Sequence, residues 1–263
     1  MSAKLTAARG TRGTTLYRFS TRDGMTRLNP LLPVALRSAD WARATDLLEA
    51  SKPDPELVNL IGLRASLLDY TRGMSALSTG DAASAEAHSK ALDEQLAKKP
   101  AEPLMPPMPG MGAASKDAMA APLHSFLDVA ALELRASIRM MQGKPAEADE
   151  LFGKAADAER ALGYHEPPFY IRPVAESRGD ALIRASRFVD AKIAYQQALK
   201  ERPNSGFPLY GIAEADVAAK DNAAAVKDYR SFLDAWKDAD DRLPQIETAR
   251  RWLEGQTQVA TGR

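Results

Sequence analysis

Apolar residues return every three or four positions along most of this chain, and that rhythm predicts helices. From Glu56 to Leu77, the residues Leu57, Leu60, Ile61, Leu63, Leu67 and Leu68 lie along one broad face. Thr79-Gly80-Asp81 ends the run: Gly80 accepts a left-handed cap and Asp81 can cap the helix that follows. That partner helix continues to about Lys98 and turns Ala82, Ala85, Leu92 and Leu96 inward. Upstream, Leu31, Leu32, Val34, Ala35 and Leu36 lead through Ser38-Ala39-Asp40 to Trp41, Ala44, Leu47 and Leu48. Lys52-Pro53-Asp54-Pro55 stops this pair, because proline cannot donate within a helix and disfavours helix in the residue before it. Downstream, Leu123 to Met141 forms a helix, and Gln142-Gly143-Lys144-Pro145 turns it into another carrying Ala148, Phe152 and Ala155. Two stretches break the rhythm. One is Pro100 to Pro122, rich in proline and methionine; the other is Gly163 to Pro173.

In the last third the pattern becomes a repeat. Gly179, Leu182, Ala191, Tyr195 and Ala198 are followed 34 residues later by Ala213, Asp216, Ala225, Tyr229 and Phe232. Phe188 and Pro203 complete the first of these sets. Ala136, Gly143, Ala148, Phe152 and Ala155 take matching positions in 129–162, and Gly73, Ala76, Gly80, Ala85 and Leu92 do so in 66–99. Small residues and an aromatic at this interval resemble the two-helix tetratricopeptide repeat. The fold that the resemblance implies is all-α: a right-handed α-solenoid of four to five hairpins between about 28 and 255. Departures are the alanine at 175, Arg178 and Ser89, which stand where the family carries tryptophan, leucine and an aromatic. The segments Glu166 to Val174 and Arg202 to Ala213 further resemble the C-terminal half of longer bacterial tetratricopeptide proteins, which implies a bacterial origin and no particular chemistry.

The expected organisation is a basic, disordered arm over 1–27, divergent hairpins over 28–99 and a Met/Pro-rich loop over 100–122. Repeats follow over 123–239 (129–162, 172–205 and 206–239), and a capping helix and tail fill 240–263. Pro244 to Glu254, with Ile246, Ala249, Trp252 and Leu253, supplies the polar-faced cap that repeat arrays need.

Composition narrows the function. The 263 residues carry 35 basic and 35 acidic side chains, so no net field draws the chain toward nucleic acid or an acidic membrane. There is no cysteine, which removes thiol nucleophiles, disulfides and cysteine-ligated metals. No apolar run is long enough to span a bilayer. The first 22 residues hold five Lys and Arg and no acid, a profile similar to an organelle transit peptide but read as a disordered arm. Without an apolar core no secretory signal is read, so a cytoplasmic location is expected, with a periplasmic one as the alternative for a truncated N-terminus.

Candidate chemistry is sparse. Met105, Met108 and Met111 are three apart and would share one edge of a polyproline II helix, as soft Cu(I) ligands could. Neighbours on that edge would stand roughly 9 Å apart, too far to share one metal without a fold-back at Pro109-Gly110. The methionine spacing is the ground for a second reading, an extracytoplasmic metal-responsive or metal-carrying accessory protein, and the separation ranks it behind a flexible or peptide-docking loop. His165-Glu166 reads as part of an aromatic elbow rather than a general base. Gly110-Met111-Gly112 follows no strand, so it fails as a dinucleotide loop, and Asp238, Asp240 and Asp241 read as a solvated turn. No cofactor and no enzymatic activity are expected.

The resemblance implies a protein–protein interaction scaffold with a concave groove lined by the first helix of each repeat. Its inward positions are Tyr70 and Met74, Glu133 and Ser137, Glu176 and Asp180, and Tyr210 and Glu214, with Phe207 beside the last pair. Carboxylates among aromatics suit a basic, partly apolar peptide and repel a carboxylate, although Arg184 limits the acidic character.

Overall fold

Twelve α-helices and no strand occupy the described residues of the computed structural model, which are 21–98, 121–163, 168–239 and 243–260. In order they are α1 (Thr21–Leu28), α2 (Leu32–Arg37), α3 (Trp41–Glu49), α4 (Val58–Ser78), α5 (Ala82–Leu96) and α6 (Ala121–Met141). There follow α7 (Pro145–Ala161), α8 (Val174–Arg184), α9 (Phe188–Glu201), α10 (Gly206–Ala218), α11 (Asn222–Ala235) and α12 (Pro244–Ala260). None of them is long and apolar enough to cross a membrane.

Five hairpins, α2–α3, α4–α5, α6–α7, α8–α9 and α10–α11, share one joint. In each, a residue just past the first helix takes a left-handed backbone: Ala39 (φ 55°), Gly80 (φ 81°), Gly143 (φ 72°), Ser186 (φ 58°) and Lys220 (φ 61°). The next N–H then bonds a carbonyl five residues back. These bonds are Asp40 to Ala35 (3.0 Å), Asp81 to Ala76 (2.9 Å), Lys144 to Arg139 (3.0 Å), Arg187 to Leu182 (2.9 Å) and Asp221 to Asp216 (2.9 Å). This closure satisfies carbonyls that a helix end leaves bare. At three joints the same residue also caps the second helix. The carboxylates of Asp40, Asp81 and Asp221 accept from the N–H groups of Arg43, Ser84 and Ala224 at 2.9–3.1 Å. At Lys144, which lacks such a cap, Pro145 opens α7 in the position where a missing N–H costs nothing.

The chain divides into two compact units, Met1–Val174 and Ala175–Arg263. In the first, α4 packs on α3, α5 and α6, while α6 also packs on α5 and α7. Leu63, Leu67, Leu77, Leu92, Leu127, Leu134 and Phe152 are buried there. Gly73 allows α4 to approach α6, since a Cβ at that position would stand 2.7 Å from Leu134 Cδ2. Arg64 of α4 closes the end of α3, donating to the carbonyls of Leu48 (2.8 Å) and Glu49 (3.1 Å) and to Ser51 Oγ (3.0 Å). Helix α1 lies against α2, α4 and α6 and buries Met25 completely.

Two sequence expectations change here. The basic arm expected over 1–27 gives way to helix from Thr21, because Met25 and Leu28 find an apolar seat; residues 1–20 lie outside the described residues. The hairpin before the Met/Pro-rich loop and the hairpin after it belong to one compact unit rather than to separate segments.

In the second unit α10 packs on α9 and α11, and α11 on α12. Ala191, Ala198, Ala213 and Ala225 are fully buried where helices meet. The ring of Tyr195 lies between two glycines. A Cβ on Gly179 would stand 2.5 Å from its Cζ, and one on Gly211 2.4 Å from the same atom.

Candidate functional site

The residues expected to line a groove divide into two groups. Tyr70, Met74 and Glu133 lie inside the first unit, with at most 3% of each exposed. Glu133 accepts from the Tyr70 hydroxyl (2.7 Å, Oε1) and from the Tyr170 hydroxyl (2.6 Å, Oε2). Trp41 packs edge-on against Tyr70 at 5.5 Å between ring centroids, and Phe126 packs against Tyr170 at 4.9 Å. Burial, then the neighbouring Glu133 charge, pushes both phenols well above the ordinary tyrosine range. This arrangement is an interior network: a carboxylate taken out of water is held by charge-assisted hydrogen bonds to two neutral phenols. Glu176 is buried as well, at 1% exposure. These four side chains therefore do not present themselves on a surface, in contrast to the groove expected from their register.

Asp180, Phe207, Tyr210 and Glu214 remain partly exposed, all in the second unit. The acids of this group have internal partners. Asp180 of α8 accepts from the Tyr195 hydroxyl of α9 at 2.6 Å, and Glu214 of α10 accepts from the Tyr229 hydroxyl of α11. Both pairs are 15 residues apart in sequence and stand 34 residues from one another. The groove register does not reveal this acid–tyrosine rule, although the repeated 34-residue spacing displays it.

Around Glu214 the aromatics converge. Tyr210 lies one helical turn before it on α10, with its ring 5.9 Å from Tyr229 and 5.4 Å from Phe232. Trp252 of α12 meets Tyr229 at 5.2 Å, and Trp236 sits between Phe207 (5.0 Å) and Phe232 (5.1 Å). Tyr229 and Phe232 form the buried floor, while Tyr210, Glu214, Trp236 and Trp252 are half-buried. Burial, followed by the Glu214 charge, raises Tyr210; burial and the hydrogen bond to Glu214 raise Tyr229. Both stay neutral donors at ordinary pH. The local chemistry is a carboxylate set among aromatic faces.

Comparison of the chain with family models, with curated proteins and with solved structures found no match. Among the described residues, no three His, Asp or Glu side chains gather as a metal site. Met105, Met108, Met111, His165, Glu166, Asp240 and Asp241 lie outside the described residues.

Proposed function

We propose that the five hairpins are tetratricopeptide-like units of a right-handed α-solenoid, and that the protein is a non-catalytic scaffold for protein–protein interaction. The common joint of the hairpins supports the repeat reading, as does the burial of Ala191 and Ala225, and of Tyr195 and Tyr229, at 34-residue spacing. The observation that carries the function is the half-buried Tyr210, Glu214 and Trp252 on a floor of buried aromatics. The partner such a surface suits is a basic, partly apolar peptide segment, with aromatics as anchors and the carboxylate choosing the sign of charge.

Fluorescence anisotropy with the full-length protein and a labelled basic amphipathic peptide tests this. Glu214→Gln keeps an acceptor for Tyr229 and removes the charge. It should weaken binding on the order of fivefold at low salt, and that difference should shrink as salt rises. Equal affinity in both proteins, or preference for an acidic C-terminal peptide, would overturn the reading.

A further inference from the structure

A second charged cluster lies in the same unit, apart from the surface just described. Asp216 stands 34 residues after the fully buried Leu182 and is itself only 3% exposed. Lys192 of α9 donates to Asp216 Oδ1 at 2.6 Å, and the same ammonium lies 3.9 Å from Oδ2 of Asp228 on α11. The other carboxylate oxygen of Asp216, Oδ2, meets no hydrogen-bond donor in the structure. One ammonium therefore serves two carboxyl groups, one of them nearly closed to water. With both acids ionised the cluster carries one uncompensated negative charge and a bare buried oxygen, both costly in a region of low dielectric.

We propose that Asp228 holds a proton in the folded protein, which makes it a pH-operated catch between α10 and α11 whose set point Lys192 fixes. Protonated Asp228 donates its O–H to Asp216 Oδ2, and the Lys192–Asp216 ion pair is left balanced. Burial pushes the Asp228 carboxyl up from its ordinary value, and contact with Asp216 pushes it further. The charged groups acting on Asp228 are Asp216 on α10, Lys192 on α9 and Lys227 on its own helix, the two lysines pulling its value back down.

The sign of the effect follows from linkage. A folded carboxyl that titrates above its unfolded value binds a proton on folding. Its contribution is complete below the unfolded value and is lost as pH rises through the folded one. Mild acid thus tightens α10 on α11, and neutral pH loosens it.

Carbon-13 NMR of aspartate carboxyls in the full-length protein reads the proton directly. The Asp228 carboxyl should titrate above the ordinary aspartate range, as should Asp128 of the other unit, and Asp228→Asn should abolish only the former. The same variant, whose amide can still donate to Asp216, should flatten the fall in Tm between about pH 4 and pH 7. Lys192→Met should move the midpoint upward by about one pH unit. Absence of an above-range titration that disappears in Asp228→Asn would overturn the proposal. So would a midpoint unmoved in Lys192→Met, or an Asp228→Asn protein whose Tm keeps the original pH dependence.

Discussion

Tyr195 shows how much of the second unit depends on the absence of a side chain. Its ring occupies the space that a Cβ on Gly179 or Gly211 would need, and its hydroxyl is tied to Asp180 at 2.6 Å. The ring is thus held at both ends and cannot swing aside cheaply. Gly211→Ala therefore forces a displacement in a close-packed place, at a cost of about 1–3 kcal/mol. Gly62, within α4, faces open space: a Cβ there would meet nothing within 4 Å, so Gly62→Ala should gain helix propensity of up to about 1 kcal/mol. Urea unfolding of the two variants should shift midpoints in opposite directions. A shift of the same sign in both would mean that chain stiffness, not contact with Tyr195, decides the outcome at residue 211.

At the level of elements, the hairpin joint explains what could and could not be read beforehand. Gly80-Asp81 and Gly143-Pro145 announce themselves, because glycine tolerates positive φ while aspartate and proline favour helix starts. Ala39, Ser186 and Lys220 adopt the same left-handed backbone without glycine, so residue type alone does not mark those turns. The flanking apolar rhythm locates them instead, as Ser38-Ala39-Asp40 illustrates. The site was less legible than the fold. Helical register placed Tyr70 and Glu133 on the inward side of their helices, but it carried no information about the two tyrosine hydroxyls that draw Glu133 into the interior. Tyr210 and Glu214 remained partly exposed in the structure, and the register alone did not distinguish them from the buried set. The joint also yields a prediction. A non-glycine residue in the left-handed region costs about 1–2 kcal/mol, and Lys220 is exposed with no apolar role to lose. Lys220→Gly should raise Tm even though it widens the range of accessible unfolded conformations, whereas Gly80→Lys should lower it. If Lys220→Gly lowers Tm, unfolded-state entropy outweighs the relief of strain at this joint.

On the scale of the molecule, the decisive feature is where the chain divides. The Met/Pro-rich stretch suggests weak coupling between the hairpins on either side of it, and hence lower protection from hydrogen exchange in 30–98 than in 172–235. The structure places the division after Val174 instead, and α4 packs on α6 across that stretch of sequence. Gly73 is a probe of this contact, because a Cβ there would stand 2.7 and 2.9 Å from the two terminal methyl carbons of Leu134, which is fully buried. Leu134 can yield only by disturbing its neighbours in a packed interior. Native-state hydrogen exchange on Gly73→Ala should therefore show lost protection in α6 and α7 as well as in α4 and α5, since a cooperative unit opens together. Loss confined to α4 and α5 would restore the division at the loop. In that case the contact at Leu134 would be too weak to make one unit of the helices on its two sides.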